Sequence, residues 1–416
     1  MDKFLVRGSG PLNGDLHVGG AKNSALKLMA ASLLAEGSTS LFNVPDITDV
    51  AIMAELLEAM GVEIQRTGQR IDISVPAEID PVAPYSLVEH MRASIVVLGP
   101  LLARIGRARV AMPGGDDFGS RPIDMHLQGL EQLGATFSHE HGDISGQADR
   151  LIGAEVFLEF PSVGATEKLL MASVLAEGTT IIENAAREPE ITDLANFLAQ
   201  MGARIEGVGT SRLRIEGVET LSPVTYTVIP DRIEAATYLS ALAVCGGQIR
   251  LKGARPGHME MLLRKLEEMG MILQEDDSGL QATVTDRLKA VDVSTLPYPG
   301  LATDYKPFLV AALTVSDGAG MVTENIFAGR FRYIDELVRM GAEIRAEGRH
   351  AVVRGVERLS GAPVRAHDIR AGAALVVAGL AADGETVISN AHHVDRGYED
   401  LAGKLSSVGA QVTRTD

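Results

Sequence analysis

The hydrophobic and polar residues of this chain follow a pattern that recurs about every 70 residues. In each copy an Ala- and Leu-rich stretch with helical spacing ends near a glycine, and a β-rich segment follows. A second helical stretch then ends in Met-Gly or Leu-Gly before another strand. The clearest copies contain "NSALKLMAASLLAEGSTSLF" and "TEKLLMASVLAEGTTIIEN", in which "LLAEGST" corresponds to "VLAEGTT". Six such units, two of them more diverged, cover nearly the whole chain.

Each unit is predicted to form two helices with one apolar face and several short strands in which apolar and polar residues alternate. A single unit leaves these faces uncovered, so helices should pack inside or between the sheets of neighbouring units. The pattern therefore predicts an α/β fold, in which most of the repeated Ala, Leu, Met and Val positions are core. The glycine after each first helix, in "AEG", "SDG" and "ADG", is predicted to be a left-handed C-cap.

The composition is that of a soluble globular protein. The 416 residues are 46% hydrophobic, which allows substantial cores and suggests two or three domains. A formal charge of -17 argues against a general binder of nucleic acids or anionic membranes, because both partners favour a basic surface. Cys245 is the single cysteine, so no intramolecular disulfide can form and a reduced cytoplasmic setting is expected. No signal segment or bilayer-length apolar run is found, so no membrane insertion is expected.

The stretch "MPGGDDFGSRPIDMH", from Met112 to His126, combines an anion-binding loop with two carboxylates. Its glycines let backbone approach a ligand closely, and Arg121 offers a two-pronged contact for phosphate or carboxylate. Asp116 and Asp117 would repel such an anion. Taken alone, the stretch also fits a surface turn in which Gly and Asp only satisfy turn geometry.

Four motifs carry a resemblance to a known family: "GAKNSALKLMAASLLAEG", "PGGDDFGSRPIDMH", "PSVGATEKLLMASVLAEGTTIIENAAREPEITD" and "VDRGYEDLAGKL". With the six repeats, they make the chain similar from end to end to the UDP-N-acetylglucosamine 1-carboxyvinyltransferases. The resemblance implies transfer of the enolpyruvyl group of phosphoenolpyruvate to the 3-hydroxyl of UDP-N-acetylglucosamine with release of phosphate. This is the first committed step of peptidoglycan precursor synthesis, and it proceeds by addition and elimination through a tetrahedral intermediate. No cofactor is expected.

The same resemblance implies the enolpyruvyl transferase fold. This is a two-domain inside-out α/β barrel built from six βαβαββ-type repeats, with the active site in the cleft between the domains. One domain is expected to comprise residues 1–20 and 229–416, because the N-terminal segment of the family crosses to the C-terminal half. The other is expected to comprise residues 21–228 and to carry a mobile loop at 112–122.

The resemblance also assigns binding residues, position by position within the matching motifs. Phosphoenolpyruvate binding is assigned to Lys22, Asn23, Arg121, Arg330, Arg370 and Arg396. UDP-N-acetylglucosamine binding is assigned to Asn23, Arg92, Arg121, Pro122, Ile123, Asp124, Met125, Ser162, Val163, Gly164, Asp304 and Ile326. Because both substrates are anionic, a protein of charge -17 needs such a local cluster of Lys and Arg. Taken singly, each basic residue also fits a solvated surface charge.

Asp304, Asp116 and Lys22 are expected to act in catalysis. Asp304 matches the carboxylate that bonds the 3-hydroxyl and is proposed as the base of the family, although Thr303-Asp304 also fits a helix N-cap. Asp116 is hypothesised to donate the proton to C3 of phosphoenolpyruvate or to assist product release. An unperturbed Asp has a pKa of ~3.9, so closure beside the anionic donor would have to raise that pKa. Asp117 is interpreted as a solvated flanking acid.

Three positions depart from the pattern of the family. Many members carry a cysteine where this chain has Asp116, and the epoxide antibiotic fosfomycin alkylates that cysteine. An aspartate is a poor nucleophile toward the epoxide, so the subgroup with Asp is expected to be insensitive to fosfomycin. Phe160 stands where some members have a Lys near the nucleotide, and Lys306 stands where a Gln is common.

Alternative functions share parts of this pattern. The shikimate-pathway enolpyruvyl transferase has the same fold and donor, but it typically reads "GSKS" where this chain reads "GAKNS". An enolpyruvyl transferase acting on another nucleotide in specialised metabolism is a second alternative. A catalytically silent homologue is a third, and it would be expected to lose Lys22, Arg121, Asp304 or Arg396. The histidines form no ligand-spaced cluster, and "AHHVD" is predicted to be a strand with its two rings pointing apart, so no metal is expected.

Overall fold

The computed structural model describes residues 2–89, 91–112, 123–140, 142–327 and 329–415. Within these ranges, internal contacts divide the chain into two compact units. Unit 1 comprises residues 2–19 and 230–415, and unit 2 comprises residues 20–112 and 123–229, each as far as the chain is described. Among the described residues, no helix combines the length and the apolar character that a membrane crossing requires.

Short strands run through both units. In chain order, they are β1 (Lys3–Arg7), β2 (Leu12–His17), β3 (Gly37–Phe42), β4 (Glu63–Thr67), β5 (Arg70–Val75), β6 (Val82–Ala83), β7 (Arg107–Ala111), β8 (Thr136–Glu140), β9 (Asp143–Gln147), β10 (Glu155–Phe157), β11 (Thr179–Glu183), β12 (Arg204–Glu206), β13 (Arg212–Glu216), β14 (Thr225–Thr227), β15 (Gly247–Lys252), β16 (Ile272–Asp276), β17 (Gly279–Val284), β18 (Val293–Ser294), β19 (Ala319–Thr323), β20 (Glu343–Glu347), β21 (His350–Arg354), β22 (Leu359–Ser360), β23 (Pro363–Arg365), β24 (Ala382–Asp383), β25 (Glu385–Ser389) and β26 (Gln411–Thr415).

Helices alternate with these strands. In chain order, the α-helices are α1 (Lys22–Ala31), α2 (Thr48–Ala59), α3 (Tyr85–Val88), α4 (Leu98–Ile105), α5 (Asp124–Gln132), α6 (Val163–Ser173), α7 (Pro189–Gln200), α8 (Arg232–Cys245), α9 (Glu260–Met269), α10 (Lys306–Leu313), α11 (Ile334–Arg339), α12 (Ile369–Leu380), α13 (His392–Asp395) and α14 (Leu401–Ser407). Short 3-10 helices cover Ser32–Leu34, Arg92–Val97 and Pro256–His258.

The four-stranded sheets of the described chain all have one strand pattern. The first and second strands pair in parallel, and the second, third and fourth pair antiparallel. The sheets of unit 1 have the orders β2-β15-β17-β16, β18-β19-β21-β20 and β23-β25-β1-β26. Those of unit 2 have the orders β14-β3-β5-β4, β6-β7-β9-β8 and β10-β11-β13-β12. The sixfold repeat predicted from the hydrophobic pattern is therefore confirmed.

Strands from distant parts of the sequence complete three of these sheets. At the N-terminus, β1 lies between β25 and β26, with Lys3 opposite both Ser389 and Thr415. The next strand, β2, pairs in parallel with β15, and both belong to unit 1. In unit 2, β14 returns to pair in parallel with β3. The N-terminal strands thus fold with the C-terminal half of the sequence.

The first helix of each repeat is more deeply buried than an amphipathic surface helix. In unit 1, α8, α10 and α12 pack against one another, and every residue of α10 and α12 is buried. Their Ala and Gly residues allow close packing of helix axes. By contrast, α9 buries only Leu262, Leu266 and Met269, which lie on one face at helical spacing. The repeat therefore combines one core helix with one covering helix.

The prediction of glycine C-caps is right about the left-handed backbone of the glycine but wrong about the helix that it would cap. Gly37 has φ +110, in the region that favours glycine, but α1 ends at Ala31 and Gly37 begins β3 instead of capping the helix. The left-handed cap belongs to the second helix of the repeat. Gly61, with φ +91, follows the C-cap residue of α2. The first helix ends in a 3-10 turn, which sequence periodicity does not distinguish from α-helix.

Candidate active site

Asp304 and Arg330 form an ion pair in unit 1. Asp304 lies in the turn before α10, and its Oδ1 accepts a hydrogen bond of 2.7 Å from Arg330 Nη2. The Arg330 side chain is 3% exposed, whereas Asp304 is 28% exposed and therefore keeps a face toward solvent. The alternative assignment of Thr303-Asp304 as a helix N-cap is wrong, because the cap position of α10 is Tyr305.

Arginines surround the carboxylate of Asp304. Burial alone would raise its pKa, but the charges of Arg330, Arg370 and Arg232 and the Arg330 hydrogen bond hold the pKa of Asp304 well below its usual range. Arg232 itself donates from Nη1 to Tyr305 Oη at 2.9 Å. Asp304 is therefore ionised at neutral pH and surrounded by cations that can bind anionic groups.

Arg370 is placed by the first turn of α12. The N-cap residue Asp368 accepts hydrogen bonds from the backbone N–H groups of Arg370 and Ala371, at 2.9 and 2.8 Å. The guanidinium of Arg370 is buried and lies over the ring of Tyr398, 5.3 Å from its centroid. Tyr398 Oη is in turn hydrogen-bonded to Thr237 Oγ1 at 2.7 Å. Burial raises the pKa of Tyr398 to about 12, so it stays a neutral phenol.

Arg396 and Ile326 lie close in sequence to Tyr398 and Arg330, respectively. Arg396 is half-buried and directly follows α13. A β-carbon on the next residue, Gly397, would lie 3.5 Å from Arg370 Nη1, so the turn that carries Arg396 runs against Arg370. Ile326 is half-buried, and its backbone N–H donates to Glu324 Oε1 at 2.8 Å. The predicted residues of unit 1 thus belong to one neighbourhood.

In unit 2, Lys22 is the first residue of α1 and is buried. Its Nζ lies 2.7 Å from Asp49 Oδ2, in the first turn of α2, and both side chains are under 10% exposed. Asn23 follows as a half-buried residue. This buried pair holds the start of α1 against α2, and it presents Lys22 as a positive charge with a fixed position.

The N-termini of α5 and α6 lie together. Ser162 caps α6 by accepting from the Ala165 N–H at 3.3 Å. A β-carbon on Gly164 would lie 2.8 Å from His126 Cε1, so the imidazole packs directly on this glycine. His126 is buried at this contact, which agrees with a structural histidine. The adjacent predicted residues are the exposed Asp124, half-buried Met125 and Val163, and buried Ile123.

A second charged group of unit 2 lies along α6. Lys27 Nζ is 3.5 Å from Glu167 Oε1. Lys168 is buried, and burial, together with the charges of Lys27 and Arg92, lowers its pKa to about 7 despite the opposing effect of Glu167. Burial also lowers the pKa of Arg92. Arg92 is therefore electrostatically coupled to α6.

Four residues singled out in the sequence, Asp116, Asp117, Arg121 and Pro122, lie outside the described residues. Another prediction is wrong: His392 and His393 begin α13 and do not lie in a strand. Their rings lie with centroids 4.4 Å apart and planes tilted by 36°, instead of pointing away from each other. Neighbouring residues in a helical turn are about 100° apart, so adjacent rings can meet.

Sequence reasoning missed several charged groups beside the predicted residues. Arg232 directly follows Asp231, which caps α8, so "PDRIEA" contained a recognisable helix start. Asp49 similarly lies in the first turn of α2. Glu324 follows β19, where a polar residue after a strand was the only available signal. None of these signals identified a partner, because the partners are distant in sequence.

Residues 6–405 match the protein family described as EPSP synthase (3-phosphoshikimate 1-carboxyvinyltransferase). A UDP-N-acetylglucosamine 1-carboxyvinyltransferase from Nocardia farcinica is 52% identical, covering 99% of this chain and 98% of that protein. One from Granulibacter bethesdensis is 50% identical, covering 100% of this chain and 99% of that protein. The similarity thus runs through the whole length of both relatives.

Solved structures agree with this relationship. The enolpyruvyl transferase NikO from Streptomyces tendae has a TM-score of 0.88 and 26% identity, covering 100% of this chain and 99% of that one. EPSP synthase from Acinetobacter baumannii, at 19% identity and a TM-score of 0.78 over both full chains, shows the fold alone. The expected enolpyruvyl transferase fold is confirmed. With full-length relatives at half identity that share one name, this chain belongs to the family of the UDP-N-acetylglucosamine 1-carboxyvinyltransferases.

Proposed function

We propose that this protein transfers the enolpyruvyl group of phosphoenolpyruvate to the 3-hydroxyl of UDP-N-acetylglucosamine and releases phosphate. The reaction is the first committed step of peptidoglycan precursor synthesis. The observation that carries the proposal is the ionised carboxylate of Asp304, held at 2.7 Å by Arg330 in a partly exposed position among arginines. It supplies a proton acceptor beside cations that can bind an anionic donor. A cytoplasmic setting fits the single cysteine.

The cations suit the two substrates. Phosphoenolpyruvate carries a carboxylate and a phosphate, and guanidinium groups bind both in a two-pronged geometry. We assign this binding to Arg330, Arg370 and Arg396, with Lys22 and Arg121 as further contacts. For the sugar nucleotide, the N-terminal turns of α5 and α6 offer backbone N–H groups and the polar side chains of Asp124 and Ser162. Arg92 adds a positive charge for the diphosphate.

The reaction then follows as addition and elimination. The 3-hydroxyl oxygen bonds to C2 of phosphoenolpyruvate, its proton passes to Asp304, and the electron pair of the C2–C3 double bond takes up a proton at C3. The tetrahedral product then loses a C3 proton and phosphate leaves C2, which re-forms the double bond. Because the pKa of Asp304 is low, it accepts a hydrogen bond throughout the neutral range, and proton transfer must accompany oxygen attack.

The C3 proton requires a separate acid, and Asp116 is the residue we propose. Asp304 is ionised at rest and accepts the hydroxyl proton in the addition step, so the C3 proton in that step is assigned to another group. The expected result for Asp116→Ala is loss of turnover with nucleotide binding retained. Asp117→Ala is the matched control from the same loop, and it should keep most of the activity. Near-normal turnover by the Asp116→Ala variant contradicts the assignment.

Asp116, in the position of the loop cysteine of other family members, also implies that the protein is insensitive to fosfomycin. The single thiol is no substitute for a loop cysteine, because burial raises the pKa of Cys245 to about 12 and leaves little thiolate. Incubation with fosfomycin should therefore leave turnover constant with time. A covalent adduct detected by mass spectrometry together with time-dependent loss of activity contradicts this expectation.

A phosphate-release assay tests the proposed function. Phosphoenolpyruvate and UDP-N-acetylglucosamine together should release phosphate, whereas each alone should not. The product should gain the mass of an enolpyruvyl group. Release with a different nucleotide acceptor, and not with UDP-N-acetylglucosamine, would favour an enzyme of specialised metabolism. Tight binding of the substrates without release from any acceptor would favour a catalytically silent homologue.

A further inference from the structure

Glu324 is a carboxylate surrounded by hydrogen-bond donors. Its Oε1 accepts from Thr295 Oγ1 at 2.7 Å and from the backbone N–H groups of Ile326 and Phe327 at 2.8 and 3.1 Å. Its Oε2 accepts from Thr303 Oγ1 at 2.7 Å and lies 3.0 Å from Lys306 Nζ. The side chain has no solvent exposure. A buried carboxylate with five donors is stable only in its ionised form.

Lys306 completes this network with all three of its ammonium protons directed to acceptors. It pairs with Glu324, donates to the backbone carbonyl of Arg330, and points at the ring of Phe331, 3.8 Å from the centroid. The Lys306 side chain is also fully buried. A buried ammonium is tolerated because each proton has an acceptor and a carboxylate balances its charge.

Thr303 carries the effect of Glu324 to the ion pair of the candidate site. Its hydroxyl has one proton, which is donated to Glu324 Oε2, so its oxygen lone pairs remain to accept from Arg330 Nη1 at 3.1 Å. The other nitrogen, Nη2, then binds Asp304. Lys306 holds the main chain of the same arginine. The side chain and backbone of Arg330 are thus both held by the Glu324–Lys306 pair.

We propose that Glu324, paired with Lys306, is a positioning residue that fixes Thr303, Arg330 and the Ile326 backbone and thereby orients Asp304. The proposal rests on the proposed function only through the role given to Asp304. Glu324 touches no reacting atom in this scheme. It sets the direction of one hydroxyl proton and, through that hydroxyl, the place of the guanidinium.

Glu324→Gln tests this directly because it preserves the shape of the side chain, removes its charge and can place an amide nitrogen where Oε2 accepted from Thr303. An amide nitrogen in place of Oε2 donates toward Thr303 and Lys306, which are themselves donors. The Thr303 hydroxyl must then rotate, and its proton opposes Arg330 Nη1. The expected result is a fall in kcat of about 100-fold, with UDP-N-acetylglucosamine affinity within about threefold of wild type.

The dependence of kcat on pH distinguishes a positioning role of Glu324 from a general loss of folded protein. Arg330, Arg370 and Arg232 keep the pKa of Asp304 low. Lys306 and Arg330 are the charged groups that act on Glu324, and Asp368 acts on both Lys306 and Arg330. A displaced Arg330 lets the pKa of Asp304 rise. The acid limb of the kcat profile, which is the fall of kcat at low pH, should therefore lie at higher pH in Glu324→Gln than in wild type. A purely structural defect lowers kcat at every pH without moving this limb.

Two substitutions of Lys306 provide a graded comparison. Lys306→Gln keeps two amide protons that can reach Glu324 and the Arg330 carbonyl, whereas Lys306→Met removes every donor at similar length. We expect Lys306→Gln to lose about threefold in kcat and Lys306→Met about 30-fold. Lys404→Gln is the control within unit 1. It breaks the 2.7 Å ion pair with Glu234 and should keep the wild-type acid limb.

Circular dichroism establishes that each variant is folded before kinetics are compared. If Glu324→Gln folds and keeps the wild-type kcat and acid limb, the proposal is overturned. If Glu324→Gln does not fold, the Lys306 series decides, and equal kcat values for Lys306→Gln and Lys306→Met overturn the proposal. Failure of the proposed function is distinct, because the wild-type protein would then release no phosphate from phosphoenolpyruvate and UDP-N-acetylglucosamine.

Discussion

Each unit contains a buried glutamate beside a buried lysine, and the two pairs behave in opposite ways. In unit 1, Glu324 accepts from five donors, and the pKa of Glu324 is lowered although burial alone would raise it. In unit 2, Glu167 is as deeply buried but lies 3.5 Å from Lys27, and burial raises its pKa despite the charges of Lys27 and Lys168. Burial is common to both, so the number of hydrogen-bond donors accounts for the opposite directions of the two pKa shifts.

The lysines show the same difference. Lys306 directs its three protons to Glu324, the Arg330 carbonyl and the Phe331 ring, and burial lowers its pKa to about 8. Lys168 has its Gly164 carbonyl contact at 3.4 Å, and burial lowers its pKa to about 7. The direct contacts of Lys306 with Glu324 and the Arg330 carbonyl therefore favour its ammonium form more than the contact of Lys168 does. The unit 2 group changes charge near neutrality.

The largest expected effect comes from removing the ionised carboxylate that the unit 1 network orients. Asp304→Asn keeps the size of the side chain but cannot accept the hydroxyl proton, so kcat should fall about 10³-fold. Steady-state phosphate release measures the change. Glu167→Gln, the matched change in unit 2, should keep kcat within about threefold. Comparable losses in both variants contradict the division between a catalytic network and a structural one.

The second effect concerns stability and compares the two glutamates directly. Glu324→Gln leaves the Lys306 ammonium buried without its counter-charge, and the expected loss in free energy of unfolding is about 3 kcal/mol. Glu167→Gln removes a carboxyl group with a raised pKa and a long ion-pair contact, so the expected loss is under about 1 kcal/mol. Urea unfolding followed by circular dichroism measures both. A larger loss in Glu167→Gln reverses the comparison.

Much of the fold was predictable because it repeats. The six copies of one hydrophobic pattern correspond to the six four-stranded sheets among the described residues, and apolar spacing predicted two helices in each copy. The ends of helices were predicted less well. A 3-10 turn follows α1, so Gly37 is not at its cap position, and the adjacent histidines of "AHHVD" lie in a helix and not in a strand. Periodicity reports which face is buried, whereas helix endings depend on local hydrogen bonds that it does not encode.

The candidate site was predictable only where a motif carried it. Asp304, Arg330 and Arg370 were named from matching positions, and the structure brings their charges together in unit 1. Glu324 was missed, since its donors come from Thr295, Thr303 and Lys306, and no local spacing links these positions. Lys306 was noticed as an unusual residue but could not be given a role without its partner. Asp116 stays a prediction.

The smallest expected effect concerns pH and separates the two lysines. A lysine with a lowered pKa in the folded state binds fewer protons than it does in the unfolded state, where its pKa is ~10.4. Stability therefore rises with pH between the folded pKa and the unfolded pKa, and below that window the full cost of burying the charge is present. For Lys168 the window begins near pH 7, and for Lys306 it begins near pH 8.

Lys168→Met removes the buried charge of Lys168 and with it this pH-dependent cost to stability. Relative to wild type, this variant should become more stable as the pH is lowered from 9 to 6, because only the wild type must bury the charge. Unfolding free energies at half-unit pH intervals measure it, with Lys306→Met as the matched variant. In Lys306→Met the corresponding gain should level off as the pH falls below about 8. A stability difference from wild type that does not change with pH in either variant would contradict a lowered lysine pKa in the folded protein.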